Sequence, residues 1–273
     1  MAELWNSIIL DPILNSLIAL STMLAENFGM AIIVLTVVVR LALFPLTARQ
    51  TKSTKAMQSL QPKLQELQKK YGRNQQKLQQ ETMKLYKEAG INPLGCIGPM
   101  LIQLPIWIAL YQSIIRALAS TPENLLDLSQ HLYSWAVVTH AVPLNEQFLW
   151  LQLSKPDPYL ILAILVGGTM WVQQKMVTAP TTDPKQKSMT QMTTMMMPLM
   201  FGMFTLSFPS GLALYWCISN VIGIVIQYLV GGGWGYLSFS VAKPVPAKKT
   251  PAAEQQSKVV KKAYEKKKGF LKK

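Results

Sequence analysis

Arg40 is the residue whose chemistry stands out, a cation inside the run MAIIVLTVVVRLALFPLT with no acid nearby. It lies seven residues before Thr47, so in a straight helix its Cα sits about 10 Å inside that boundary at 1.5 Å per residue. Burying an arginine near a helix centre costs about 2.5–3.5 kcal/mol on insertion scales, which makes an unpaired one a functional candidate. Its head either snorkels towards the boundary or is hydrated in a water-filled cavity. Thr36 precedes it by four residues and shares its helix face. Gln103, Gln112, Gln173, Gln174, Asn220 and Gln227 lie in other apolar runs. Singly, each reads as a helix-to-helix hydrogen bond; together with an unpaired arginine they could line a groove whose carboxylate arrives with a ligand.

Other chemistries find little support. His131 and His140 fall in one polar segment, and no HExxH, Walker loop or GxSG stands on an apolar run. Ser210, in FPSG, has no histidine on an apolar run to act as its base. Cys96 and Cys217 form no CxxC or Cys/His cluster and read as packing residues. No metal or cofactor is expected. A proton-coupled transporter would want an intramembrane carboxylate or histidine, and none is present.

The elements that hold Arg40 follow from hydropathy. Half of the 273 residues are apolar and 15% are charged, and mean hydropathy is +0.21, which points to a membrane protein. Spans of a polytopic all-α protein are expected at 29–48, 94–118, 158–176, 192–208 and 211–230; none contains Asp or Glu. The fourth is short for a bilayer, and only Pro209 and Ser210 separate it from the fifth, a tight helical hairpin. Ten of the 27 basic residues fall in 49–93, three in 175–191 and eleven after 230, whereas 1–28 and 119–157 hold only Lys155. The basic segments therefore face the cytoplasm, with the N-terminus out and the C-terminus in.

Residues 4–24 carry apolar side chains at helical spacing, interrupted by Asp11, Pro12 and Asn15. An extracytoplasmic amphipathic helix over 1–28 fits better than a sixth span. The start has no basic n-region, so no cleavable signal is expected. In 49–93, Met57, Leu60, Leu64, Leu67 and Tyr71 form a seam, Gly72 to Asn74 a turn, and Leu78, Thr82, Leu85 and Ala89 a returning seam. Pro62 should break the first helix near Gln61, and Gly90 should cap the second. The outer loop 119–157, the loop 177–191 and a Lys-rich, disordered tail over 231–273 complete the chain. The basic hairpin and tail suit a ribosome, an acidic partner or anionic lipid.

The segments VVVRLALFPLTARQTKSTKAMQSLQPKLQELQKKYG (37–72), ETMKLYKEAGINPLGCIGPMLIQLPIWIALY (81–111), PDPYLILAILVGGTMWVQQKM (156–176) and FPSGLALYWCISNVIGIVIQ (208–227) resemble the YidC/Oxa/Alb membrane protein insertases. The resemblance runs from residue 28 to 230 in order. It implies five core helices around a hydrophilic groove open to cytoplasm and lipid, a cytoplasmic hairpin called C1, and a non-enzymatic insertase of the bacterial cell membrane. Arg40 matches the groove arginine, Thr36 its polar neighbour, and Tyr215 and Trp216 the aromatic pair of the last span; Gln103 is placed with them. Leu104, Trp107 and Phe204 fall where the family contacts a passing substrate helix. Trp216 replaces what is often a tyrosine. The implied partners are nascent membrane proteins, the ribosome through tail and hairpin, the Sec translocon, the signal recognition particle system and the lipid bilayer. The alternative is a membrane chaperone or assembly factor dependent on a translocon. Only 28 residues precede the first expected span, which resembles a minimal bacterial form without a large outer domain.

Overall fold

A computed structural model describes residues 2–90, 98–118, 121–139, 144–179 and 184–237. Asn92 and Pro93, Cys96, His140 and the tail after 237 lie outside the described residues. The described chain is an all-α membrane protein with one two-stranded hairpin.

Helical turns Ala2–Trp5 and Asn6–Leu10 run into α1 (Asp11–Met23). Leu10, Leu14, Leu17 and Ile18 are all buried. The interruptions have structural work: the Asn15 amide donates to the carbonyls of Asp11 and His131, 2.8 Å each, and its Oδ1 accepts from the Tyr133 N–H at 2.8 Å. Thr22 Oγ1 donates to the Val137 carbonyl at 3.2 Å. Buried Asn15 and exposed Thr22 thus tie α1 to residues 131–137.

The second helix, α2 (Phe28–Ala42), starts at Asn27, whose side chain accepts from the Met30 N–H at 2.9 Å. It does not run straight to residue 48. It stops at Leu43 and bends by 62° into α3 (Phe44–Ser59). Pro45 explains the break, because it lacks an N–H and clashes with the preceding turn. A second break at Leu60 leads to α4 (Gln61–Tyr71), with Pro62 in its first turn, where proline is tolerated. Its neighbour α5 (Gln75–Glu88) is capped by Asn74, which accepts from Lys77 N–H at 3.1 Å. Leu64, Leu67 and Tyr71 of α4 and Leu78, Thr82 and Leu85 of α5 are half-buried, whereas Ala89 is exposed.

Next come α6 (Gly98–Ala117), α7 (Pro122–His131) and the short α8 (Ala136–Thr139). Strands β1 (Gln147–Phe148) and β2 (Leu151–Gln152) pair antiparallel, Phe148 opposite Leu151. Phe148 lies on Gly29 so closely that a Cβ there would sit 2.2 Å from its ring. The helix α9 (Ile161–Val177) begins at Leu160, whose φ of 60° is left-handed. In a non-glycine residue that conformation costs about 1–2 kcal/mol.

The fourth apolar run is a continuous helix from Pro184, made of α10 (Pro184–Gln191), a π-helical Met192–Met196 and α11 (Met197–Phe204). It ends at Phe204, so the turn into α12 (Ser210–Gly231) is longer than the two residues expected. Gly202 lets α11 meet α9 closely, since a Cβ there would lie 3.0 Å from the Ala163 carbonyl. The first N–H groups of α12 are satisfied by the segment that follows the strand pair: Ser210 N donates to Lys155 O (2.7 Å) and Gly211 N to Leu153 O (3.1 Å).

Among the described residues, Glu3–Met23 and Ser210–Gly231 are long and apolar enough to cross a membrane, and the bent pair α2–α3 makes a third if counted as one span. The most central helix is α12, which packs on α9, α2 and α3. Leu212, Ala213 and Tyr215 join Phe28, Ile32, Leu14 and Ile114 in one core.

Candidate functional site

Because α2 ends at Ala42, Arg40 stands in its last turn, just ahead of the bend. It is therefore closer to a helix terminus than a straight span would place it. Its side chain is half-buried, and among the described residues no carboxylate pairs with it. Its electrostatic neighbour is Tyr215 of α12. Thr36 is buried one turn earlier, and its Oγ1 donates to the Ile32 carbonyl at 2.6 Å. That bond spends the hydroxyl hydrogen and leaves the oxygen as an acceptor.

Tyr215 connects this corner to α6. The Gln103 Nε2 donates to its hydroxyl at 2.6 Å, across two helices. The tyrosine side chain is buried. Arg40, Gln103 and Tyr215 therefore form a polar set drawn from α2, α6 and α12.

Trp216, the next residue, faces a different environment. It stacks on Trp107 with centroids 5.7 Å apart and planes at 14°. Phe201 and Phe208 meet its ring edge-on at 5.6 and 6.0 Å. Phe204 touches Phe201 and Phe208, and Tyr111 meets Phe208. Rings from α6, α11 and α12 thus bridge one another. Leu104 and Phe204 are exposed at this margin. The Trp107 Nε1 is buried with no hydrogen-bond partner among the described residues. Such an orphaned donor costs free energy until something accepts from it.

The remaining polar residues disperse. Gln112 accepts from Trp5 Nε1 at 2.9 Å. Asn220 bonds α9 through Thr169 Oγ1 at 3.3 Å, and Gln173 packs over Gly223. These are helix-to-helix contacts. An open apolar groove of about 550 Å³ lies between α9 and α11, lined by Trp171, Met195 and Leu199 among others, and none of the expected site residues borders it.

Several features escape a reading of residue types. Phe201, Phe204 and Phe208 recur at helical spacing, a signal that was available. Arg116 pairs with Asp127 at 2.9 Å, and His131 Nδ1 meets Asp11 Oδ1 at 2.8 Å. No group of His, Cys, Asp and Glu among the described residues could hold a metal ion.

Fold and site together define an all-α integral membrane protein with a half-buried arginine that pairs with no carboxylate among the described residues, and a separate cluster of aromatic rings on neighbouring helices. The chain belongs to the 60Kd inner membrane protein family, which matches residues 19–232. It is similar to "Membrane protein insertase YidC" of Oceanobacillus iheyensis, 40% identical over 255 residues that cover 90% of this chain and 86% of that protein. The protein of the same name from Actinobacillus succinogenes is 42% identical over 230 residues, 84% of this chain and 38% of that longer relative. The one from Histophilus somni (strain 2336) is 43% identical over 231 residues, 84% of this chain and 38% of its own length.

Proposed function

We propose that this chain is a non-enzymatic insertase that passes the hydrophilic end of a newly made membrane protein through a polar groove while its apolar segment enters the bilayer. The observation that carries this reading is Arg40, half-buried, paired with no carboxylate among the described residues, and an electrostatic neighbour of Tyr215, which accepts from Gln103. A cation held there without a fixed partner lowers the cost of bringing an acidic or polar tail into the membrane. Thr36 offers a further acceptor. Trp107, Trp216, Leu104 and Phe204 supply an apolar margin along which the substrate helix slides. Burying one large apolar side chain is worth about 1.5–3 kcal/mol, so a segment of twenty drives its own entry without ATP.

Five helices form the groove in this reading: α2, α6, α9, the α10–α11 helix and α12. The chain sits in a bacterial inner membrane with its N-terminus out, α1 lying at the outer interface and α4–α5 in the cytoplasm. The bonds from Asn15 and Thr22 of α1 to the outer segment support that placement of α1. The basic tail and hairpin dock the ribosome, and the Sec translocon and signal recognition particle system are further partners.

Arg40→Glu should abolish insertion of a single-span substrate with an acidic tail into proteoliposomes of the purified protein, and Arg40→Lys should keep a large part of it. Undiminished insertion by the glutamate variant would refute the electrostatic role. Wild-type protein inactive in liposomes until a translocon is added would instead favour an assembly factor.

A further inference from the structure

The outer hairpin turns through Leu149 and Trp150, residue types that a two-residue turn in water does not favour. Such turns use Asn, Asp or Gly because positive φ is cheapest there. Leu149 nevertheless holds φ at 56° and is 77% exposed, with Trp150 41% exposed beside it. The same combination recurs at the start of α9, where Leu160 holds φ at 60° and is 51% exposed, next to Tyr159 at 66%. Both leucines are held in a strained backbone and both remain exposed, Leu160 at the edge of the open groove between α9 and α11.

These two turns form one patch. The Trp150 Nε1 donates to Asp157 Oδ1 at 3.3 Å, and the same carboxylate accepts from Tyr159 N at 3.1 Å and Leu162 N at 2.7 Å. Along α9 the exposed apolar surface continues through Ile161, Ile164 and Leu165. The 17 residues of α9 rise about 25 Å, short of the roughly 30 Å of a hydrocarbon core. The patch adds apolar surface just where α9 falls short. Trp and Tyr carry an apolar ring with one polar handle, the chemistry that settles at headgroup level. Lys155 is the single basic residue between 119 and 157, so attraction of anionic headgroups is not what holds the segment.

We infer that Leu149, Trp150, Tyr159 and Leu160 are embedded in the leaflet at the N-terminal end of α9, at the boundary between headgroups and acyl chains. The hairpin is a lipid anchor that sets the height of α9. This depends on α9 crossing the bilayer and is independent of how Arg40 acts.

Spin labels on Leu149→Cys and Tyr159→Cys, in a Cys96→Ser, Cys217→Ser background, test it in vesicles of phosphatidylcholine and phosphatidylglycerol. Both side chains are exposed, so labelling removes no packing. The reference is a label on Glu123→Cys, exposed on α7. The anchor predicts labels at 149 and 159 that collide with oxygen but are several-fold less accessible to a water-soluble nickel complex than the label at 123. That protection should persist when the protein is diluted in excess lipid. Nickel accessibility equal to that at 123 would overturn the proposal. Protection that disappears on dilution would also overturn it, because the cover would then be a second copy of the chain.

Discussion

Tyr215 ties the polar corner to the rest of the molecule through a single bond from Gln103. Tyr215→Phe leaves that amide without its acceptor and should cost about 1–2 kcal/mol, seen as a lowered unfolding temperature in detergent with the ring packing kept. Glu146, beside the strand pair, offers a pH test. Its pKa is lowered, mainly by the hydrogen bond from Ser154, with further lowering from Gln152 and the charge of Lys155 and an opposing push from burial. A carboxylate depressed in the folded state stabilises above its unfolded pKa and loses that contribution as pH falls through the folded value. Protection from hydrogen exchange in 146–154, corrected for the pH dependence of intrinsic exchange, should therefore fall on the acid side of the ordinary glutamate range, and Ser154→Ala should shrink that loss. Arg40 was legible in the sequence because a charge in an apolar run is a compositional fact. So was the separation of Gln103 from Gln112, nine residues apart and hence on opposite faces of a helix with 3.6 residues per turn. Which of the two met Tyr215 was not legible, since that depends on how neighbours rotate α6.

At the scale of elements, the clearest departure from a hydropathy reading is the bend at Leu43. Hydropathy runs smoothly across Leu41 to Leu46 and hides it, although Pro45 announces it chemically. The π-helical segments at Asn6–Leu10 and Met192–Met196 carry the same kind of marker, since Pro12 and Pro198 each follow two residues past their ends. The bend aims α3 at the ends of two other helices. Lys55 Nζ donates to the Gly231 carbonyl at 2.7 Å, and Gln58 Nε2 donates to the Val177 carbonyl. A cation at a helix C-terminus is worth about 0.3–1 kcal/mol. Lys55→Met should therefore cost no more than that in global stability while speeding hydrogen exchange over the last turn of α12. Unchanged exchange there would show that α3 is held by Thr51 and its other packing alone.

For the molecule as a whole, charge is distributed by segment. The +14 formal charge comes largely from 49–93 and the residues after 230. If these segments dock a ribosome, association should weaken steeply with added salt. Truncation after residue 242 should lower affinity and flatten that salt dependence; equal binding by both forms would remove the tail from the interface. Fold class was readable because apolar runs of this length have few alternatives. The tertiary arrangement was not, because α2, the strand hairpin and α12 meet through contacts between distant parts of the chain, such as Phe148 on Gly29 and Gly211 N to Leu153 O.

The central place of α12 also has a consequence in time. It is the last of the long helices described, yet α2, α3 and α9 all pack on it. A chain made from its N-terminus builds α2 early and α12 late, so Arg40 has to wait through most of translation before its electrostatic neighbour Tyr215 exists. Through that interval the early helices lack the surface they are shaped for. This protein is therefore, while being made, a client of the same kind that it is proposed to serve.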